Sequence, residues 1–533
     1  MPSSASGTAR LRCVSLCAAL ACCIAGGSPA APPGVYGLVV GIDGYEHLNP
    51  LNGAVNDARD VRDALEGMAA RDVRLLLDGE ATREAVFRHW EELARMAGAG
   101  DVLVFHFAGH GGRQVATLRD GHEAKDNMFL LAGFRNAGEG TLQRIVDNEI
   151  GHMLASEEEA TVVFVADSCF AGGMVRSMDD RLRGGVRAAG VHLADADDAV
   201  SERVRALGEV DESRLGRVIW IYGQDENKVT QEIPIDGQVR GALSHVFSRA
   251  LRGEADADGD GSLDVRELKR FVNKGVSRLT ERRQRPHVNA GSGDLSIRLV
   301  TRGAAGIGAV EARTLRIHYP DARPPFDLDG TTEVHDAQLA DILYFGTDRK
   351  LIYKTGDTVA EFDADDDARE LSPKLQGAVE KWRLLELLAR IEPSDDLEIG
   401  LASGDAIYTE GEQVAFRILS ASDRTVLLFN LAYDGTVQVL PGFDRNGPHR
   451  GGIRLRAGRP LNFETRVQEP FGADHLVAIA AEDDQRDLLR MLLEAHGKRA
   501  GPVFVKEVAA ILGGSEFGAD WVGLFTRGAG NGE

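Results

Sequence analysis

Cysteine is nearly absent from the body of this chain. Of five cysteines in 533 residues, Cys13, Cys17, Cys22 and Cys23 fall close to the N-terminus, and the fifth is Cys169. Once the N-terminal run is removed, Cys169 has no partner for an internal disulfide, so packed cores must hold the fold. Basic charge is also short, with 61 Lys+Arg against 83 Asp+Glu and a formal net charge of −22. Nucleic-acid binding needs clustered Lys and Arg, so that class of partner is excluded. An acidic surface suits Ca²⁺ and basic peptides instead. Beyond the N-terminal segment, no apolar run reaches the ~18 residues of a membrane helix. What remains is ordinary for globular protein, at 43% hydrophobic and 27% charged residues, and long enough for two to four domains.

Residues 1–31 carry Arg10 and Arg12, an apolar run over 13–25, then Ser28-Pro29-Ala30. This is the order of a signal peptide, and it predicts a secreted or periplasmic protein with no transmembrane span in the mature chain. A lipid tether at Cys22 is the alternative, although Ala19 suits it poorly.

Residues 35–300 alternate strand and helix signals. Runs at 101–107, 161–166 and 217–222 are apolar without alternation, the mark of strands buried on both faces of a parallel sheet, while 35–42 is a short apolar run and 73–77 is β-rich. Helical spacing recurs at 56–65, 82–96, 241–251 and 265–279, with Thr82 placed as an N-cap. The class is α/β, a mostly parallel sheet flanked by helices. Residues 174–215 interrupt it without a clear period. Residues 301–390 read as a linker or small region, with a β-like piece at 351–362 and a helix near 374–391. From 391 to 528 short alternating runs at 414–418, 425–431, 436–440 and 475–480 predict an antiparallel β-sandwich.

Cys169 follows one of the buried runs, in Asp167-Ser168-Cys169, and His110 follows another, in Gly109-His110-Gly111-Gly112. In open parallel sheets the ligand crevice lies beyond the carboxyl ends of the strands, so both side chains belong there. A nearby imidazole can take the thiol proton and later protonate a leaving amine. The amides of Gly111 and Cys169 are the expected oxyanion donors. A buried structural thiol is the alternative for Cys169, and His106, inside its strand run, is the rival base.

These motifs resemble caspase-like cysteine peptidases of the metacaspase type. The resemblance covers residues 35–300 and includes 38–45, 52–58, 109–112, 167–173 and the 241–251 helix. It implies His110 and Cys169 as a catalytic dyad in a cysteine endopeptidase acting on proteins or peptides. It also implies Asp57 and Asp167 as the acids of the pocket for the residue before the scissile bond, hence cleavage after Arg or Lys. The alternatives are a helix N-terminal acid for Asp57 and a turn-capping acid for Asp167. Ala108 stands where the family commonly has serine, and Phe170-Ala171 replaces His-Ser. Residues 174–215 lie where such enzymes carry a cleavable linker, and Arg181, Arg183 and Arg187 make self-cleavage a hypothesis there. A catalytically silent caspase-like scaffold that binds peptides or partner proteins is the competing reading.

Residues 256–267 fit an EF-hand loop: Asp256, Asp258 and Asp260 at positions 1, 3 and 5, Gly261 at 6, Ser262 at 7, Asp264 at 9 and Glu267 at 12. Ca²⁺ is the expected ion, and no organic cofactor is implied. The C-terminal part resembles a domain of unknown function that often follows bacterial caspase-like peptidases, through Tyr408, Gly411, Asp434-Gly435 and Pro470-Phe471-Gly472. That resemblance implies a sandwich for binding a partner protein.

Overall fold

The computed structural model describes residues 33–117, 123–169, 187–193, 198–208, 210–223, 230–292, 295–298, 312–390, 397–402, 407–443, 451–513 and 517–528. The expected signal segment, Phe170, Ala171, Arg181 and Arg183 lie outside them. In chain order the first half carries β1 (Val35–Gly41), α1 (Ala54–Gly67), β2 (Asp72–Leu77), α2 (Arg83–Met96), β3 (Val102–Ala108), β4 (Gly111–Thr117), β5 (Glu123–Leu130), β6 (Arg144–Val146), α3 (Asp147–Ala155) and β7 (Thr161–Asp167). There follow β8 (Ala188–Leu193), α4 (Ala199–Leu207), β9 (Val218–Tyr222), β10 (Glu232–Ile235), β11 (Gln238–Gly241), α5 (Ala242–Arg249), β12 (Ser262–Asp264), α6 (Val265–Leu279), β13 (His287–Ala290) and β14 (Ser296–Arg298).

Six of these strands form the central sheet, in the order β13-β9-β7-β3-β1-β2, parallel except for β13 at one edge. Successive side chains on a strand face opposite ways. Leu103, Phe105 and Phe107 of β3 enter one core with Trp90 and Leu93 of α2, while Val104 enters the other with Val61 and Leu65 of α1. Both faces are covered, which is why the strands read as unbroken apolar runs. Thr82 caps α2 as expected, its side chain accepting from the Ala85 amide at 3.2 Å. A second sheet, β6-β5-β4-β8, begins where β3 ends.

Part of the segment expected to lack structure is regular. β8 pairs in parallel with β4. α4 is capped by Asp198, which also receives a two-pronged contact from the buried Arg144 guanidinium at 2.8 and 2.9 Å. Only Val200, Ser201 and Val204 of α4 are buried. So narrow an apolar stripe gives a weak periodic signal, and a tertiary ion pair supplies the anchor.

The stretch read as a linker or small region is more regular than expected, although its β-like piece at 351–362 and its helix near 374–391 are both present. It holds β15 (Leu315–His318), β16 (Thr331–Glu333), β17 (Ile342–Phe345), β18 (Lys350–Tyr353) and β19 (Thr358–Glu361), paired as one sheet, followed by α7 (Ala368–Arg390). Strands of three or four residues are too short to show a period. Ile317, Ile342, Leu351 and Val359, with Trp382 and Leu385 of α7, share one core with the sandwich that follows, while Leu343, Phe345 and Ile352 form a small cluster on the other face. That sandwich comprises β20 (Glu398–Leu401), β21 (Ile407–Thr409), β22 (Gln413–Leu419), β23 (Arg424–Leu431), β24 (Val437–Val439), β25 (Ile453–Leu455), β26 (Leu461–Arg466), β27 (Ala473–Ala481), α8 (Arg486–Ala495), α9 (Pro502–Leu512) and β28 (Phe517–Arg527). Its two sheets run β20-β22-β26 and β21-β28-β27-β23-β24. Among the described residues no helix is long and apolar enough to cross a membrane.

Candidate active site

β3 and β7 are hydrogen-bonded neighbours, with Ala108 opposite Asp167. His110 and Cys169 each lie two residues beyond that pair, so the sheet brings the two chain ends out side by side. The imidazole is buried and fixed. Nε2 lies 2.7 Å from the Asn49 carbonyl, which can only accept, so Nε2 carries the proton of the neutral ring. Nδ1 is then the basic nitrogen, and it is buried with no hydrogen-bond partner. The Tyr45 hydroxyl accepts from the His110 amide at 2.9 Å and donates to the Leu130 carbonyl at 2.9 Å, tying the loop to β5. Burial pushes His110 below the ordinary histidine range, against the Asn49 and Arg187 carbonyls, which favour the charged ring. Cys169 is buried and forms no disulfide. His106 points elsewhere, its Nε2 lying 2.9 Å from the Ser244 hydroxyl.

The two acids named from the sequence meet behind this crevice, around an arginine of the same chain. Asp57, in the first turn of α1, accepts from the Gly241 amide with both oxygens at 3.0 Å and from Nη2 of Arg187. Asp167 Oδ2 accepts from the amide and hydroxyl of Ser244 at 3.0 and 2.7 Å and pairs with Arg187 Nη1 at 3.1 Å. Nη1 also donates to the Asp167 carbonyl at 3.0 Å. A third acid, Glu232, accepts from the Asn52 and Gly53 amides at 2.9 Å and from Arg187 Nη2 at 3.3 Å. Asp57, Asp167 and the Arg187 side chain are fully buried, and so is the Glu232 carboxylate.

Burial drives Asp57 well above the carboxylate range, with the like charge of Asp167 adding to it and Arg187 opposing. Glu232 is raised by burial too, against Arg187. Burial would lower the Arg187 guanidinium, but Asp167, Asp57 and Glu232 outweigh it and hold it charged. The backbone of Arg187 is held as well. Its amide donates to the Thr230 carbonyl at 3.1 Å, and its own carbonyl accepts from the Gly111 amide at 3.0 Å. The Gly111 amide expected to serve an oxyanion is therefore engaged by Arg187.

Sequence reasoning missed Glu232 and Ser244, and it placed Arg187 only as one of three arginines in a loop. Glu232 lies 175 residues beyond Asp57 on a four-residue strand, and no local pattern marks it. Gly241 offered a faint signal: a Cβ there would come within 2.3 Å of Asp167 Oδ2 and 2.6 Å of Arg187 Nη1, so only glycine fits between the two acids.

Distant from this crevice, carboxylate oxygens of Asp256, Asp258 and Asp260 lie within 4.8 Å of one another. Gly261 has φ +81°, the left-handed turn that position requires. Glu267 is not in the trio. Its carboxylate accepts from the Ala257 and Asp264 amides at 3.0 Å. Asp264 caps α6 through the Glu267 amide at 2.8 Å, and the Ser262 amide donates to Asp260 at 2.7 Å. β12, which carries Ser262 and Asp264, pairs with β14. The donors are all hard oxygens, and Oδ1 of Asp256 is buried with no partner, so the set fits a calcium ion.

A family model described as Caspase domain matches residues 36–293. Metacaspase-1 of Coccidioides immitis is 26% identical over 254 residues, covering 40% of this chain and 54% of that protein. Metacaspase-1A of Aspergillus oryzae is 25% identical over 254 residues, covering 40% and 59%. The chain thus spans little more than half the length of these curated relatives. Among solved structures, a protein from Geobacter sulfurreducens is 22% identical with a TM-score of 0.35, covering 49% of this chain and 95% of that one.

Proposed function

Residues 36–293 belong to the caspase-domain family, and from that premise we propose that the chain is a cysteine endopeptidase cutting after Arg or Lys. Cys169 is the nucleophile and His110 its base. The observation that carries the specificity is the guanidinium of Arg187, buried among Asp57, Asp167 and Glu232. A pocket that binds its own arginine through three carboxylates is built for a cationic side chain, and the planar fork of Arg satisfies two of them at once.

The chemistry runs through Nδ1 of His110, the lone pair left open by the Asn49 contact. It takes the Cys169 proton, the thiolate adds to the substrate carbonyl, and the imidazolium returns the proton to the departing amine. The Cys169 amide is the donor for the oxyanion, joined by the Gly111 amide only where the Arg187 carbonyl has released it. Self-processing within residues 174–215 belongs to the same reading. So does a Ca²⁺ site held by Asp256, Asp258, Asp260, Ser262, Asp264 and Glu267, where the ion would neutralise the acidic loop and brace the start of α6. Export directed by residues 1–31 and partner binding by the sandwich complete the proposal.

Hydrolysis of fluorogenic peptides ending in Arg, Lys or Asp tests the activity, with Ca²⁺ or chelator, for wild type and Cys169→Ala. Turnover after Arg and Lys that vanishes in the variant is expected. Turnover after Asp would defeat the specificity, and no turnover at all would favour the silent scaffold. Calorimetric titration of Glu267→Gln should show Ca²⁺ binding weakened at least about tenfold, the cost of a bidentate ligand. Unchanged binding would remove the site.

A further inference from the structure

We infer that the open end of the sandwich binds a neutral, hydroxyl-rich small molecule, a sugar of one or two rings. The site lies in the half of the chain that catalysis does not use, so it stands whether or not Cys169 cuts peptides.

Between the ends of its two sheets the sandwich holds an open cavity of about 700 Å³, within the ~300–1,000 Å³ of small-molecule sites. Val414 of β22 lines it from one sheet, and Leu476 of β27 and Leu524 of β28 line it from the other, all three buried. Asn430, Gln438 and Asp474 stand among them on three neighbouring strands, β23, β24 and β27. Asn430 is the one polar residue in the buried run 426–431, and it is only 8% exposed. Its Nδ2 donates to Gln438 Oε1 at 2.8 Å and to Asp474 Oδ2 at 3.1 Å, which fixes the amide's orientation. Oδ1 is left buried with no donor. A buried acceptor in that state weighs against the fold until something donates to it.

Charge decides the class of ligand. Asp474 is buried and accepts from the Tyr433 amide at 3.1 Å. Its nearest cation is Lys381, fully buried in α7, whose Nζ donates to the Ala473 carbonyl. The buried charge at the cavity is thus already balanced. A charged ligand would add a buried ion without a counter-ion, which is costly. At the rim, Glu464 and Arg466 of β26 are of opposite sign and favour neither kind of ion. A neutral molecule with O–H donors meets Asn430 and Asp474 without that penalty. Burial raises the Asp474 carboxyl to about 7 against the Lys381 charge, so near neutral pH it offers a proton as well as lone pairs. Hydroxyls use both. A sugar ring sets an apolar C–H face beside a hydroxyl edge, which matches leucine and valine beside an amide and a carboxyl.

The test is ligand-observed NMR on the full chain carrying Cys169→Ala. The probes are glucose, N-acetylglucosamine, cellobiose, maltose and lactose at millimolar concentration, with N-acetylleucine amide as a neutral peptide-like control. Two further variants are compared. Asn430→Ala removes the open acceptor. Thr465→Trp fills the cavity from β26, where Thr465 lies opposite Val414, and leaves the Asn430 contacts alone. Thermal melting confirms that each variant is folded. At least one sugar should bind, and both variants should weaken it at least about tenfold, the weight of one buried hydrogen bond. No binding of any sugar would overturn the inference, and so would sugar binding that neither variant changes. Binding of N-acetylleucine amide but of no sugar would assign the cavity to peptides and overturn it as well.

Discussion

Burial makes His106 a liability in acid. The ring sits fully inside the sheet, and burial pushes it down to about 4 from an ordinary 6.5, with the Asp167 charge offsetting part of the shift and Arg187 adding to it. Between those two values the unfolded chain binds a proton that the folded chain refuses. The stability from keeping the ring neutral is therefore complete above pH 6.5 and lost as pH falls toward 4. A shift of that size corresponds to on the order of 3 kcal/mol. In the Cys169→Ala background, the thermal midpoint should drop more steeply between pH 6.5 and 4 than in the same protein carrying His106→Asn. His245 is lowered to about 4 as well, so the difference between the two curves, not either slope, isolates His106. Identical slopes would refute the assignment.

At the scale of the element, the junction of β11 and α5 decides whether Asp57, Asp167 and Arg187 can meet. Gly241 has an ordinary φ of −82°, so its requirement is space rather than conformation. A methyl there meets Asp167 Oδ2 at 2.3 Å and the Arg187 guanidinium at 2.6 Å. Gly241→Ala should cost about 1–3 kcal/mol of overpacking and abolish cleavage of Arg peptides, read by thermal melting and turnover together. Unchanged turnover would show that the acids do not form the specificity pocket. Legibility in the sequence also divides by element. β1, β3 and β7 are sheathed on both faces, so their apolar runs were visible, and the crevice beyond β3 and β7 followed from them. The same logic found the Thr82 cap and put His110 and Cys169 just beyond two neighbouring strands. It did not find β8, α4 or the strands β15, β16 and β17, where short or weakly apolar segments are fixed by distant partners such as Arg144 with Asp198. Nor did it find Glu232, whose role exists only once β10 lies across the start of α1.

Over the whole molecule, the caspase-like half and the sandwich are joined at the end of α6. Arg282 Nη2 reaches the Ile399 and Trp521 carbonyls at 2.8 and 2.7 Å and the Asp520 carboxylate at 3.1 Å, and Arg278 reaches the Ala519 carbonyl. Asp520 Oδ2 also accepts from the Ile399 amide at 2.9 Å, so this one carboxylate clamps β20, β28 and the turn after α6 together. Glu281 and His475 add a contact at 3.2 Å. Contacts this polar resemble those between domains that are free to move, not those inside a single core. Asp520 carries the most because it is buried while Arg282 is a third exposed. Asp520→Asn keeps the shape and the Ile399 acceptor and removes the charge, a loss of about 1.5–3 kcal/mol for a hydrogen bond to a charged group. Since the two halves have separate cores, that loss should fall on their coupling. Calorimetry of the Cys169→Ala full chain should show the unfolding of the two halves drawing apart when Asp520→Asn is added, the sandwich unfolding at the lower temperature because Asp520 is its own buried group. A single transition that does not move would mean the clamp contributes nothing and the halves are held by other surfaces.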